Sequence, residues 1–274
     1  MTRSNNPLLG EGDPAPVMLF NAGGRSPFLI VGDHAGNAIP RALGDLGLTA
    51  AERMRHIAWD IGVEALGCAL ATALDAAFIF QPYSRLVIDC NRDPGHPDAA
   101  AARADGSLVP GNVGLTAAGL SARIAAIHAP YHDRIAREIA RRHAARQPTI
   151  YLALHSFTPN LGGQSRRWHA GILHDREDAR FAMALLAALG REKHLIVGDN
   201  EPYRMDATDY SVPHHAYPAR LAYAEIEIRQ DLLADAAGVS KWAKTLEAAC
   251  RTAMAMSVAP RPHPERARDG TLIR

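Results

Sequence analysis

The sequence predicts an α/β protein with a mixed, mostly parallel sheet flanked by helices. Two observations carry this expectation. Short apolar runs of strand length alternate with segments of helical periodicity, which is the pattern of crossover units. Residues with metal-binding, anion-binding and acid–base chemistry recur just after those runs, where ligands bind in open α/β sheets. The 274 residues allow one large domain or two small ones. No internal repeat or linker divides them, so one domain is expected over residues 1–274. Loose tails or surface wraps are expected at about 1–16 and 259–274, where Pro, Gly and polar residues concentrate.

The elements follow in order. Phe28–Val31 reads as a buried strand ending at Gly32-Asp33-His34, and Ala51–Leu74 as one helical stretch. Ala77–Phe80 and Leu86–Ile88 read as strands. Leu120, Ile124, Ile127, Tyr131, Ile135 and Ile139 form one helical stripe that Pro130 is expected to kink or split. Thr149–Leu154 reads as a buried strand that delivers His155 to its tip. Gly171–Leu173, His194–Val197 and Leu221–Ile228 read as further strands, with a helix over Phe181–Leu189. A last helix is expected over Val239–Met256.

Composition excludes several classes. The chain is 47% apolar and 22% charged, which argues against disorder. Lys and Arg number 30 against 29 Asp and Glu, so no sequence-wide attraction to nucleic acid or anionic membrane is implied. The basic helical run Arg134, Arg137, Arg141, Arg142 and Arg146 reads as a solvated face. The longest weakly charged stretch, Ala65–Ser84, is broken by Asp75, Gln81 and Pro82 and makes a poor membrane span. Cys68, Cys90 and Cys250 are too scattered for a disulfide framework or a CxxC site. With no apolar leader in the first sixteen residues, a cytoplasmic protein is expected.

The strand ends carry the chemistry. His34 and His155, each at the tip of a strand, pair as candidate ligands for a divalent metal of the zinc type; singly, each is also a plausible hydrogen-bonded loop histidine. A third ligand is needed. Asp60 and Asn37 compete, and the anionic carboxylate is the better donor. Asp33 is a candidate to orient a ligand imidazole. Asn91 and Arg92, with Arg85 nearby, suit a substrate carboxylate. Alternation puts Glu225, Glu227 and Arg229 on one face of their strand, which reads either as an acid–base site or as a charged edge strand. Ser156 and Tyr203 are candidate cleft residues. His128, Tyr131, His132, His214 and His215 either line the cleft or lie on a surface.

Taken together, the strings His34-Ala-Gly-Asn-Ala-Ile-Pro40, Tyr83-Ser-Arg-Leu-Val-Ile-Asp-Cys-Asn-Arg92, His155-Ser-Phe-Thr-Pro159, Asn200-Glu-Pro-Tyr203 and Glu225-Ile-Glu-Ile-Arg-Gln-Asp231 resemble the N-formylglutamate amidohydrolase family. The resemblance implies a zinc carboxypeptidase-like (phosphorylase/hydrolase-like) fold with one metal, and a place in amino-acid catabolism. It implies metal ligands at His34 and His155; because His34-Ala-Gly-Asn37 departs from the carboxypeptidase His-x-x-Glu, Asp60 competes with Asn37 for the remaining place. It further implies Glu227 as the general base, and Arg85 is a candidate second catalytic group beside it. Asn91, Arg92, Ser156, Tyr203 and Arg229 are then the substrate contacts. The expected reaction is hydrolysis of a small-molecule N-acyl amino acid, N-formyl-L-glutamate first. Another N-acyl amino acid, a peptide, or a non-catalytic binding protein on the same fold are the rivals. Arg85, Arg167 and Arg229 compete for a side-chain carboxylate.

Overall fold

A computed structural model describes residues 8–175 and 177–258. The apolar runs become strands because both of their faces are covered. In chain order the elements are β1 (Met18–Phe20), β2 (Phe28–Gly32), α1 (Ala50–Arg53), α2 (Val63–Leu74), β3 (Ala77–Phe80), β4 (Arg103–Ala104), β5 (Ser107–Leu108), α3 (Ala117–Arg123) and α4 (Ala129–Ala144). Then follow β6 (Ile150–Phe157), β7 (Asn160–Leu161), β8 (Gln164–Ser165), β9 (Ala170–Leu173), α5 (Arg180–Leu189), β10 (Val197–Asp199), α6 (Ser211–His215), β11 (Ala222–Arg229) and α7 (Ala236–Val258).

Seven strands form one sheet in the order β1-β3-β2-β6-β11-β9-β10, and β4-β5 and β7-β8 are separate hairpins. β3, β2, β6 and β11 are mutually parallel, while β1 and β9 run antiparallel to their inner neighbours. Side chains alternate between the two layers. Phe28, Ile30, Phe78, Leu152, Leu154, Ile226 and Ile228 pack with the apolar faces of α2, α5 and α7. Leu29, Val31, Ile79, Tyr151, Ala153 and Tyr223 pack with Ile127, Tyr131 and Ile135, and with Val212 of α6. Each buried Val, Leu, Ile or Phe side chain among them contributes about 1.5–3 kcal/mol. His155, Glu225 and Glu227 continue the second set, so they emerge on the α4/α6 face at the carboxyl end of the sheet.

Three expectations need correction. Leu86–Ile88 is not a strand. Its residues are buried, but Ser84 accepts from the Leu86 amide and its carbonyl accepts from Val87, which folds the run into a turn. A short apolar run reports burial, not conformation. Ala51–Leu74 is two helices, interrupted where Gly62 adopts φ +87° and the Asp60 amide donates to the His34 carbonyl. The strand near His194–Val197 is shifted to Val197–Asp199. The stripe around Pro130 does divide, into α3, a π-helical turn at Ile124–His128, and α4.

The basic run is not wholly solvated. Arg142 is fully buried, pairs with Glu138, and donates to the carbonyls of Ser26, Pro27 and Phe28 at the start of β2. Residues 8–16 lie along the body: the Pro14 and Pro16 carbonyls accept from Tyr83 and Gln81. Residues 1–7 and 259–274, which hold most of the expected tails, fall outside the described residues.

Gly36 joins the loop after β2 to the segment after β3. Its amide donates to the Gln81 carbonyl, and a Cβ there would lie 2.1 Å from the Pro82 oxygen. Both segments lead into site residues. Gly36→Ala is therefore expected to destabilise the protein by about 1–3 kcal/mol through overpacking against rigid backbone. A lowered urea midpoint would register this; an unchanged midpoint would contradict the close approach.

Candidate metal and substrate site

Asp60 is the centre of the cluster. Its Oδ2 lies 2.9 Å from His155 Nδ1 and 3.4 Å from His34 Nδ1, and all three side chains are buried. Their donor atoms lie within 4.8 Å of one another, and they form a group able to hold a metal ion. Asn37 is not in this group; its amide donates to the Arg53 carbonyl.

Each imidazole has its other nitrogen on a second carboxylate. His34 Nε2 is 2.7 Å from Asp89 Oδ1, and His155 Nε2 is 3.4 Å from Asp33 Oδ2. Asp33 is itself fixed by Tyr131 and Ser211, whose hydroxyls each donate to Oδ1 at 2.7 Å. The arrangement turns both Nδ1 atoms toward Asp60, which is how outer carboxylates orient metal-ligand histidines. Among the described residues, the buried side-chain polar atoms without a hydrogen-bond partner include Glu225 Oε2 and Glu227 Oε2, both in the same cavity. A buried carboxylate field with unspent acceptors is the chemistry of a cation site.

The electrostatics agree. Burial opposes the charge on Asp60, yet the His34 and His155 imidazoles hold its carboxyl well below the usual range. Burial likewise disfavours charge on His155, but the Asp33 and Asp60 carboxylates at its two nitrogens raise its proton affinity well above normal. For His34, burial and Arg85 oppose protonation, and Asp89 and Asp60 outweigh them. A potential that retains protons on two buried imidazoles also favours a divalent cation, which would displace those protons.

The cluster opens into a cavity of about 460 Å³ lined also by Arg85, Asn91, Arg92, Ser156, Tyr203, Arg204, Asp209, Glu225 and Glu227. Glu227 is the direct register partner of His155 on the neighbouring parallel strand. β11 is an inner strand, so the charged-edge reading does not apply. Burial, opposed by His155 and aided by Asp60, pushes Glu227 up to about 8. Burial also pushes Glu225 well above the usual carboxylate range, against the pull of His155 and with Asp209 and Glu227 adding to it.

The remaining candidates divide. Arg85 donates to Asp89 through Nε and Nη2 at 3.0 and 2.7 Å and approaches Asp60 at 3.6 Å. Arg92 lines the cavity, with Nη1 donating to the Asn91 and Thr208 carbonyls and lying 3.9 Å from Asp209. The Asn91 side chain is engaged by protein: Oδ1 accepts from the Tyr210 and Ser211 amides, and Nδ2 donates to Asp209. Ser156 donates to the Ile61 carbonyl, tying β6 to the Asp60 loop. The Tyr203 hydroxyl accepts from Arg166, whose guanidinium lies 4.5 Å over its ring. Arg229 is paired with Asp231 and donates to the carbonyls of Arg166 and Trp168; neither it nor Arg167 lines the cavity.

Three lining or supporting residues were given no place in the site from the sequence. Asp89 sits one turn after Arg85, a spacing that could have marked the pair. Arg204 and Asp209 carry no local signal, because a loop of the second half of the chain brings them in.

Asp89→Asn is expected to weaken the cluster's affinity for an added divalent cation by about 10–100-fold. Competition against a chromophoric chelator measures it, and wild-type affinity would contradict the supporting role of Asp89.

These features can be set beside known proteins. The solved structure of an Agrobacterium tumefaciens gene product is 36% identical, with a TM-score of 0.88 over 90% of this chain and 98% of that one. An N-formylglutamate amidohydrolase from Ralstonia eutropha shares the fold at 23% identity and a TM-score of 0.67, over 89% of this chain and 98% of that one. No curated protein matches the chain. The model of one family, N-formylglutamate amidohydrolase, matches residues 26–234. That span contains every strand of the sheet except β1 and every residue of the cluster, and the chain belongs to the N-formylglutamate amidohydrolase family.

Proposed function

We propose that the protein is a metal-dependent amidohydrolase that cleaves N-formyl-L-glutamate to formate and glutamate. The observation that carries this reading is the juxtaposition of His34, Asp60 and His155 with the buried carboxylate of Glu227 in one cavity. The family supplies the substrate class. His34 Nδ1, Asp60 and His155 Nδ1 would hold the ion, of which zinc suits the donor set best. Such an ion supplies Lewis acidity, both to a bound water and to the acyl oxygen.

The chain's own residues do the rest. Glu227 takes the proton of water as the water oxygen adds to the formyl carbon. It then delivers that proton to the amide nitrogen as the C–N bond breaks. A carboxyl raised to about 8 by burial can both take and release a proton near neutrality. Arg92 holds the α-carboxylate and so fixes the scissile bond beside Glu227. Asn91 serves this grip by holding Asp209 and the start of α6 rather than by touching substrate. Arg85 is committed to Asp89 and Asp60, which leaves Arg204 as the lining arginine for glutamate's side-chain carboxylate. Substrate preference rests on that residue, and a different N-acyl amino acid is the second reading if Arg204 is not used.

Formate release should disappear on chelation and return with zinc. Glu227→Gln should retain the metal and lose about 10²–10⁴-fold in kcat; near-wild-type turnover would remove Glu227 as the base. Arg204→Ala should cut kcat/KM for N-formyl-L-glutamate but not for N-formyl-L-leucine. An equal loss on both substrates would reject the side-chain assignment.

A further inference from the structure

The histidines beside the cleft are not used by the reaction, yet they meet the backbone that carries Arg92. His132 Nε2 lies 2.9 Å from the Cys90 carbonyl, and His128 Nε2 lies 3.0 Å from the Arg92 carbonyl. A carbonyl only accepts, so each Nε2 carries the hydrogen and donates. His132 Nδ1 is then the acceptor for His215 Nε2–H at 2.9 Å. The two carbonyls flank Asn91, whose side-chain Oδ1 accepts from the Tyr210 and Ser211 amides at the start of α6. The segment is thus pinned at successive residues by groups from two helices.

The local backbone explains the placement. The π-helical turn Ile124–His128 ends at His128, and His132 follows one turn later in α4. Their rings lie 4.4 Å apart, and His132 stacks on His215 at 5.1 Å. π-turns inside helices are frequent at functional sites because they re-aim side chains. Burial disfavours charge on all three imidazoles, in keeping with the neutral tautomers that the contacts require.

We propose that His128 and His132, braced by His215, are positioning residues that aim Arg92 at the substrate carboxylate. This rests on Arg92 being the carboxylate grip. The histidines touch neither substrate nor metal ligand in this account; they act through the Cys90–Arg92 backbone.

The test is a double-mutant cycle read as KM and kcat for N-formyl-L-glutamate with the zinc-loaded full chain. His128→Leu keeps volume but removes the donor, and is expected to raise KM about tenfold. Its kcat should change by less than about threefold, as for lost ground-state and transition-state binding alike. His128→Gln retains a donor near the Nε2 position and should restore KM; His132→Leu and His132→Gln should behave in parallel. In an Arg92→Ala background, His128→Leu should add no further rise in KM. An additive rise, or a loss of stability with unchanged KM, would overturn the positioning role while leaving the grip intact. An Arg92→Ala variant with wild-type KM would instead remove the grip itself, and the proposal with it. If His128→Leu does not fold, the glutamine variants decide: a tenfold rise in KM for both of them would overturn the proposal.

Discussion

Asp60 Oδ2 sits between two imidazole nitrogens, 2.9 Å from His155 and 3.4 Å from His34, and all three side chains are buried. A carboxylate cannot be buried there alone, because its desolvation would outweigh the remaining interactions. It is tolerable because the imidazoles are aimed at it, and they are aimed because Asp89 and Asp33 hold their far nitrogens. Arg85 bridges Asp89 and Asp60 and partly neutralises the acidic set. The candidate site is one connected network in which each candidate ligand is oriented by another charge, so removal of one member leaves a neighbour buried and unpaired.

The fold exists around that network in a definite way. Four parallel strands end at one edge of the sheet, and helices cover both of its faces. β2 delivers Asp33 and His34, β6 delivers His155, and β11 delivers Glu227 opposite it. The break between α1 and α2 delivers Asp60, and the turn after β3 delivers Asp89 through Arg92. α4 supports both halves of the site: Tyr131 fixes Asp33 behind His155, while His132 contacts the Cys90 carbonyl behind Arg92.

Much of this was legible in the sequence because strand tips are readable. An apolar run followed by a histidine or carboxylate marks both an element and the end of it that faces a ligand, which is how His34, His155 and Glu227 stand out. Asp60 was legible as a ligand type but not in place, since its loop reads as part of a helix until Gly62 takes a positive φ. Leu86–Ile88 misleads because burial in a turn and burial in a strand leave the same apolar trace. Arg229 lies on the expected strand, but two residues beyond Glu227 its side chain finds Asp231 instead of the cavity. Arg204, Asp209 and the contact between His132 and His215 depend on chain segments far apart in sequence, and local spacing carries no trace of them.

The central claim is that a metal is held by the Nδ1 atoms of His34 and His155 together with Asp60. Anomalous diffraction at the zinc edge from zinc-loaded crystals tests it most directly. The account predicts one dominant peak within about 2.0–2.2 Å of those three side chains. A peak on the Nε2 side of either histidine, or on Glu225 and Asp209 with none at Asp60, would contradict it.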